Sequence, residues 1–585
     1  MALFHRMLII CNLHGCPAIR TEGNPATLGS GLLGMTMTET VDRQKCWDEK
    51  AVRLELHRPT GKPGLVKCFA HRPANLDHLF RASVEATPHA EALVGSGLRL
   101  TYRELDRRVT QVAAGLRKLD VSPGDRVALA LANTVEFIET LLACARIEAV
   151  AVPLNIRMRL REITSVLVDS RAVGVIFDAA LREEIPSDEQ APECRVRIVT
   201  RAAADAGALA YDEIFRNIDT AGFIPTPGDE DSVCALVYTS GTTGKPKGAP
   251  ITHLAMIHSA LSFVGRGELR TGERTILAVP GTHITGIAAV IYPTFHLSGC
   301  LILVESFQAR DFTALATQER CSYTFLVPAM INLMLLKVNL RDHDLSAWRT
   351  VAFGGAPMPV STTQEITGAI PHLRLMQAYG ATETTAAVTG HLLTKNMASP
   401  QIASIGKPMP CADIRVLDES GIEVPRGMTG EIWIAGPSVI AGYWQDQEQT
   451  DKAVAGGYWR SGDIGWVDDD GFVYIGDRMK DVINRAGFKV YSIEVESVLM
   501  AHPSVNFAAV IGYPDSVLGE KTHAFIVAAG EIDLDALRDH CRKELSDYKV
   551  PDGMTVVDGD DLPRNAAGKV VKHALRQMLM AEART

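Results

Sequence analysis

No run of 18 or more apolar residues occurs in the 585-residue chain, so the sequence predicts no membrane-spanning helix. The most apolar stretch, Thr324 to Leu336, is broken by Pro328 and Asn332. Disulfide and zinc frameworks are also missing. The 11 cysteines are scattered, odd in number and never spaced CxxC, which points to a reducing compartment, the cytoplasm. Positive charge is not in excess: 59 Lys and Arg stand against 69 Asp and Glu, a net charge of −10. A nucleic acid, whose phosphates require a basic face, is therefore not expected as a partner. A small phosphorylated ligand needs only a few backbone N–H groups and one or two lysines, and stays open. Fixed-period repeats and low-complexity tracts are absent.

What is present is an ordinary globular composition, 46% hydrophobic and 22% charged, in a chain too long for one core. At least two domains follow. Residues 1–70 show no sustained period and are read as a leader. Within them Arg6 precedes a short apolar run, Met7 to Cys11, and Leu13-His14-Gly15-Cys16 has a faint likeness to a lipoprotein cleavage site. The run is too short for an export signal, and Met35 or Met37 would serve equally as a start.

From Asn75 onward, strand and helix patterns alternate. Pro123-Gly124-Asp125 is a turn, Val127 to Leu131 a strand, and Asn133 a helix N-cap with Glu136 as its capping-box partner. Ile138, Leu141, Leu142 and Ala145 continue at helical spacing. Further strands are expected at Arg195 to Val199, Ala235 to Tyr238, Thr275 to Val279 and Leu301 to Val304. This order predicts an α/β fold with mostly parallel sheets and crossover helices. After about residue 400, glycine-rich short strands take over, at Ile414 to Leu417, Glu431 to Ala435 and Gly471 to Ile475. The expected division is a large domain over 71–479, with a β-rich subdomain from about 400 to 479, and a small α+β domain over 480–585. In the latter, a helix is expected from Ser492 to Met500 and a strand from Phe507 to Ile511.

One segment carries chemistry on its face. Tyr238-Thr239-Ser240-Gly241-Thr242-Thr243-Gly244-Lys245-Pro246-Lys247-Gly248 follows a buried-looking strand. Its glycines let backbone approach phosphate oxygens, Thr239, Ser240, Thr242 and Thr243 offer hydroxyls, and Lys245 and Lys247 add positive charge. A Walker A loop is excluded, because two residues rather than four separate the glycines and Pro246 follows the lysine. A solvated turn needs far less than this run of glycines, hydroxyls and lysines.

This loop resembles the signature of the adenylate-forming superfamily, which includes acyl- and aryl-CoA synthetases, firefly luciferase and peptide-synthetase adenylation domains. The likeness extends from about residue 75 to 580 and recurs at separate sites in the family's order. Pro280-Gly281-Thr282-His283-Ile284-Thr285-Gly286 resembles the element whose His gates the acyl pocket; a lone His is otherwise a core residue. Phe353-Gly354-Gly355-Ala356-Pro357 resembles the segment lining adenine and acyl pockets. Tyr379-Gly380-Ala381-Thr382-Glu383-Thr384 resembles the hexad in which the Tyr stacks on adenine, the Thr touches the α-phosphate and the Glu holds Mg²⁺. Thr239 and Glu383 are the implied metal ligands, and hard oxygen suits Mg²⁺.

Tyr458-Trp459-Arg460-Ser461-Gly462-Asp463 resembles the ribose-binding motif, with Asp463 the acceptor for ribose hydroxyls and Arg478 reaching the same ribose or the phosphate. Lys480, two residues on, falls at the family's hinge. Gly487-Phe488-Lys489-Val490-Tyr491 resembles the lining of the pantetheine tunnel, with Gly487 leaving room and Arg485 and Lys489 offered to CoA phosphate. Leu562-Pro563-Arg564-Asn565-Ala566-Ala567-Gly568-Lys569 resembles the C-terminal element carrying the catalytic lysine, Lys569; Asn565 replaces a commoner Thr.

The resemblance implies ATP, Mg²⁺ and coenzyme A as cofactors and a small carboxylic acid as substrate. The carboxylate attacks the α-phosphorus, pyrophosphate leaves, and the CoA thiol then displaces AMP. Lys569 serves only the first step, so the small domain is expected to swing about Lys480 between the two. Two rivals stand beside this reading: loading of a carrier protein in trans, and an inactive nucleotide sensor on the same fold. For the acid, Val327, Met330, Phe353, Gly354, Met376, Thr384 and Ala387 are the pocket candidates. They are apolar or small, so a medium- or long-chain fatty acid is expected first and an aryl acid second.

Overall fold

Alternating strands and helices close into two large sheets with helices between and around them. The computed structural model describes residues 54–204, 207–239, 246–393, 399–559, 561–564 and 570–582. The expected sites Ser240, Gly241, Thr242, Thr243, Gly244, Lys245 and Lys569 lie outside the described residues.

One sheet has seven strands in the spatial order Lys247–Thr252, Val233–Thr239, Val150–Pro153, Arg126–Ala130, Ala172–Asp178, Val196–Thr200 and Leu209–Ala210. Only the first pair is antiparallel. The second has nine: Lys407–Pro408, Ala386–Leu393, Arg374–Ala381, Thr350–Gly354, Tyr323–Leu326, Arg274–Leu277, Cys300–Leu303, Glu91–Gly95 and Leu98–Thr101. Its six central strands, from Arg374–Ala381 to Glu91–Gly95, run parallel.

The largest core lies between these sheets and draws Val127 and Leu129 from one, and Leu93, Leu301 and Tyr323 from the other. Helices Val135–Ile147 and His253–Arg266 fill the space and are buried almost all round. A helix covered on every side has no solvent face, so the buried charges of Val135–Ile147 are paired: Glu139 with Arg108 and Arg216, and Arg146 with Asp77 and Asp106. Asn133 does not cap it. Thr134 does, accepting from Phe137 N at 3.2 Å, and Glu136 Oε2 is buried without a partner. The expected capping box fails because the Asn133 side chain is used elsewhere, as described below.

The β-rich subdomain is a five-stranded antiparallel sheet of Asp413–Leu417, Gly430–Ala435, Tyr458–Val467, Val454–Ala455 and Val473–Arg478. The last strand begins later than the expected Gly471, which sits in a turn at φ +83°. The C-terminal unit is a second five-stranded sheet. Its helix occupies Ser492–Met500 as expected, and packs on a strand, Val505–Asp515, longer than the expected one. The two units are joined through Asp477, whose carboxylate accepts from the N–H groups of Arg478, at 2.7 Å, and Ser492. Burial raises the Asp477 carboxyl above its ordinary range. Lys572 then ties Ser492 Oγ (2.6 Å) and Glu496 (2.7 Å) together.

Residues 54–69, expected to belong to a leader over residues 1–70, are part of the fold. Leu54–His57 and Val66–Phe69 pair as an antiparallel hairpin that docks on the large domain. Its strands are too short and too polar to stand out as a sheet in sequence. Among the described residues, no helix is long and apolar enough to cross a membrane.

Candidate active site

Three parallel strands, Tyr323–Leu326, Thr350–Gly354 and Arg374–Ala381, bring their carboxyl ends to one place, where open α/β sheets present their ligands. Gly355, Ala356 and Pro357 follow the second of these strands and are exposed, with Gly355 at φ +81°. Tyr379 lies near the end of the third. A bulge follows it, and a Cβ on Gly380 would stand 1.7 Å from the Ala386 carbonyl oxygen, so only glycine fits there.

The subdomain meets this edge. Tyr379 Oη donates to Asp463 Oδ2 at 2.5 Å, and Asp463 Oδ1 pairs with Arg478 Nε at 3.3 Å. Asp463 and Arg478 are cross-strand partners, so pairing of Tyr458–Val467 with Val473–Arg478 fixes their relation. Ser461 Oγ accepts from Asp463 N at 3.0 Å and donates to Ile432 O at 2.6 Å, which holds the strand. Burial, reinforced by the Asp463 charge, keeps the Tyr379 phenol protonated well above its ordinary range. Asp463 is 6% exposed, whereas the Arg478 side chain is half exposed. The result is a shielded acceptor with a solvent-facing cation beside it, which suits a sugar diol attached to a phosphate.

Glu383 is half-buried in the turn after Ala381. Its Oε1 accepts from Tyr443 Oη at 2.8 Å, and its carbonyl accepts from Ile440 N at 2.8 Å. Burial and the Glu383 charge push the Tyr443 phenol up. Lys247 Nζ lies 5.2 Å from the Tyr443 ring centre and donates to Gln449 Oε1 at 2.6 Å. Lys247, expected to add positive charge to the loop, has its ammonium anchored by Gln449 and Tyr443. Thr239 and Lys247 are paired residues of the hairpin that carries residues 240–246 at its tip. The chain Glu383–Tyr443–Lys247 therefore sets the Glu383 carboxylate at the base of that loop.

Among the described residues, no three His, Cys, Asp or Glu side chains come together to hold a metal by themselves. A single carboxylate beside a phosphate loop fits Mg²⁺, which keeps water and phosphate oxygens as its other ligands. Glu383 Oε2, Thr239 Oγ1 and the nearby buried Thr382 offer the hard oxygens this requires.

His283 is half-buried at the turn opening the π-helical segment Gly286–Ile291. The turn is tight: a Cβ on Gly286 would lie 2.4 Å from the Pro280 carbonyl oxygen. Sequence reasoning missed what holds it. Asn133 Nδ2 donates to the carbonyls of Leu277 (3.1 Å), Val279 (3.0 Å) and Val304 (2.9 Å), while Oδ1 accepts from Gly281 N at 2.6 Å. The signal was the Asn itself, mistaken for a cap. Tyr443 was missed as well, and nothing near it in sequence marks it.

The acyl-side candidates divide. Phe325, Ala352, Met376, Ala378 and Ala387 belong to the core that also contains Ile284 and Ile287, next to His283, with Val327 and Met330 packed against it. Phe353 does not. It packs with Leu326, Val351 and Leu375, because strand alternation sends it to the opposite face. Thr384 is fully buried, and its hydroxyl already bonds the backbone of Ala381 and Ala386, so it presents no polar group to a ligand. Gly354 is small for a different reason than expected: a Cβ would meet the Ala378 carbonyl oxygen at 2.2 Å.

Gly487 forms a two-residue turn with Ala486, at φ +86° and +50°, between Ile483–Arg485 and Phe488–Val490. Positive φ at both positions is the requirement of a tight hairpin. Lys489 is exposed and lies 3.6 Å from Glu419, and Arg485 is bound to Asp552 at 2.6 Å rather than open to an incoming phosphate. Lys480 is exposed in the turn after Arg478.

A buried Asp paired with a half-exposed Arg, and a half-buried carboxylate held by a tyrosine, stand where the ends of the parallel strands meet the subdomain. Residues 80–444 match the AMP-binding enzyme family and residues 494–569 the AMP-binding enzyme C-terminal domain, and the chain belongs to this family. It is 36% identical over 493 residues to a feruloyl-CoA synthase from Amycolatopsis sp, covering 84% of this chain and 96% of that one. It is 32% identical over 517 residues to the long-chain-fatty-acid–CoA ligase FadD13 of Mycobacterium tuberculosis, covering 87% and 99%. O-succinylbenzoate coenzyme A synthetase from Bacillus subtilis, solved with ATP and magnesium ion, superposes with a TM-score of 0.75 at 27% identity, covering 85% and 99%. The protein is an acid–CoA ligase that works through an acyl-adenylate, with ATP, Mg²⁺ and CoA as cofactors.

Proposed function

We propose that the acid is an apolar aromatic carboxylate, activated as its adenylate and transferred to CoA in the cytoplasm. The observation that supports this most is a run of small residues on three adjacent strands of the nine-stranded sheet. Ala352, Gly354, Ala378 and Ala387 present small side chains or none, with Met376, Val327 and Met330 around them. Small apolar residues on adjacent strands favour the flat face of a planar ring, which loses little conformational entropy on binding. The likeness to a feruloyl-CoA synthase favours the same class. A medium- or long-chain fatty acid is the second reading, favoured by the likeness to FadD13 and by the same absence of polar lining.

In this reading Tyr379 packs on adenine, with Gly355, Ala356, Pro357 and Gly380 at its edge. Asp463 and Arg478 take the ribose, Thr382 the α-phosphate, and Thr239 and Glu383 the Mg²⁺. Residues Ser240 to Lys245 surround the departing pyrophosphate. Lys569 bridges the attacking carboxylate and the α-phosphate, where the charge of the transition state accumulates. His283 gates the acid. Lys480 is the pivot that exchanges Lys569 for the Gly487–Lys489 segment. No protein nucleophile is needed, because positioning and electrostatics supply the rate.

The test is a panel of benzoate-type, cinnamate-type and C8 to C16 fatty acids assayed for AMP release with free CoA as the only thiol. Turnover of the aromatic members supports the proposal. Turnover of fatty acids alone transfers the assignment to the second reading. Adenylation without thioester formation from CoA would point to a carrier protein as acceptor.

A further inference from the structure

Between its two short strands, the N-terminal hairpin sends a loop, Pro59 to Leu65, across to the subdomain. It lies before residue 80, where the family match begins. Thr60, through its N–H and hydroxyl, is held by Asp231 Oδ2 at 3.0 and 3.2 Å. At its tip, Gly61 has Ala441 Cβ 3.5 Å from its Cβ position, and Pro63 lies 3.3 Å from that of Gly457. Lys62 stands between them. Its Nζ donates to the carbonyls of Gly436, at 2.7 Å, and Pro437, at 3.2 Å. Burying an ammonium on two main-chain carbonyls costs free energy that the attraction of Asp231 only partly offsets, so such a contact persists only where the surroundings enforce it.

The segment that Lys62 grips leads directly to Glu383. Gly436 is buried at φ +143°, and a Cβ there would meet the Cys411 carbonyl oxygen at 2.8 Å, so only glycine fits where Lys62 grips. Two residues later, Ser438 O accepts from Thr385 Oγ1 at 2.6 Å. Ile440 N then donates to Glu383 O, and Tyr443 Oη donates to Glu383 Oε1, both at 2.8 Å. Residues 436–443 thus hold Glu383 by main chain and side chain, and Lys62 fixes the end at which that segment begins.

We propose that Lys62 is a positioning residue for the Mg²⁺ carboxylate: by clamping Gly436 and Pro437 it sets the segment that aims Glu383 at the metal and the phosphates. The inference rests on Glu383 being the metal ligand. The ammonium is committed to the carbonyls of Gly436 and Pro437, so its effect is expected in metal affinity and not in acyl transfer.

Three variants separate the possibilities: Lys62→Met, Asp231→Asn, which loosens the same loop at its other anchor, and Glu383→Gln. Each is read by the free Mg²⁺ concentration that half-saturates pyrophosphate release, by calorimetric binding of a non-hydrolysable ATP analogue with Mg²⁺, and by thioester formation from supplied acyl-adenylate. Lys62→Met is expected to raise the Mg²⁺ requirement about tenfold, the equivalent of one charge-assisted hydrogen bond, and to weaken analogue binding by a similar factor. Thioester formation should stay within about twofold of wild type, since a positioning loss confined to the metal leaves that step alone. Asp231→Asn, which loosens the loop that carries Lys62, should raise the Mg²⁺ requirement in the same direction by a smaller factor. Unchanged Mg²⁺ response in Lys62→Met, or parallel loss of both half-reactions, overturns the inference. If Glu383→Gln itself leaves the Mg²⁺ response unaltered, it is the ligand assignment that fails. Should Lys62→Met not fold, Lys62→Gln, shorter and neutral, is measured in its place with the same expected direction.

Discussion

The phenol of Tyr379 and the carboxylate of Asp463 meet at 2.5 Å although 84 residues separate them. This bond joins the nine-stranded sheet to the subdomain and holds a shielded acceptor where the two meet. Neither residue could be placed there by its own strand alone. Four predictions follow from this and related contacts.

Asp463→Asn preserves shape and removes the charge. It is expected to raise KM for ATP about 10- to 100-fold in pyrophosphate exchange, the range for losing a charged hydrogen-bond acceptor. Tyr379→Phe, which removes only the group orienting that acceptor, should raise KM a few-fold. A larger effect from Tyr379→Phe than from Asp463→Asn would reverse their order of importance.

Asn133→Ala removes four buried hydrogen bonds at once, three to the carbonyls of Leu277, Val279 and Val304 and one from Gly281 N. Orphaned buried carbonyls and N–H are costly, so about 3 kcal/mol of stability should be lost in urea unfolding. Because Gly281 opens the turn that carries His283, KM for the acid is expected to rise while KM for ATP holds. Equal rises in both would show that Asn133 supports the whole domain and not the gate.

His258 sets an acid limit. Its Nε2 accepts from Phe69 N at 3.0 Å and its Nδ1 donates to Leu254 O at 2.9 Å, which requires the neutral ring. Burial lowers its pKa from 6.5 to about 3. The unfolded chain therefore binds a proton below pH 6.5 that the folded chain refuses, and this contribution to stability is lost progressively as pH falls from 6.5 towards 3. The slope for one such proton is at most about 1.4 kcal/mol per pH unit. His258→Gln should flatten the dependence of the urea midpoint between pH 4 and 6.5; an unchanged slope would assign the acid limit to other groups.

Lys569→Ala should slow adenylation about 10²- to 10³-fold, the loss expected for one charge-stabilising donor, and spare thioester formation from supplied acyl-adenylate. Lys480→Pro should do the opposite, leaving pyrophosphate release intact and slowing the thioester step. Single-turnover measurement of each half-reaction distinguishes the two. Survival of both steps in Lys480→Pro would move the pivot to another residue.

Much of the fold was legible because its signals are local. The helix Ser492–Met500 and the strand Cys300–Leu303 stand close to where periodicity puts them. Elsewhere, local signals misled. Asn133 resembled a cap because caps and buried tethers use the same side chain, and only packing distinguishes them. Phe353 sat inside a motif, yet strand alternation turned it away from its neighbours' face. Residues 54–69 looked like a leader because two four-residue strands bury too little by themselves; their partner surface, at Asp231, His258 and Gly436, is supplied by distant parts of the chain.

By itself the sequence determined the residue kinds at each site, the α/β alternation, the glycines the backbone demands and the membership of a ligase family. The tertiary structure alone decided which of those residues meet: Tyr379 with Asp463, Glu383 with Tyr443 and Lys247, Lys62 with Gly436. The reason is physical. A motif fixes backbone geometry over a few residues, whereas these pairings depend on how sheets and loops far apart in the chain pack, and packing is a property of the whole core.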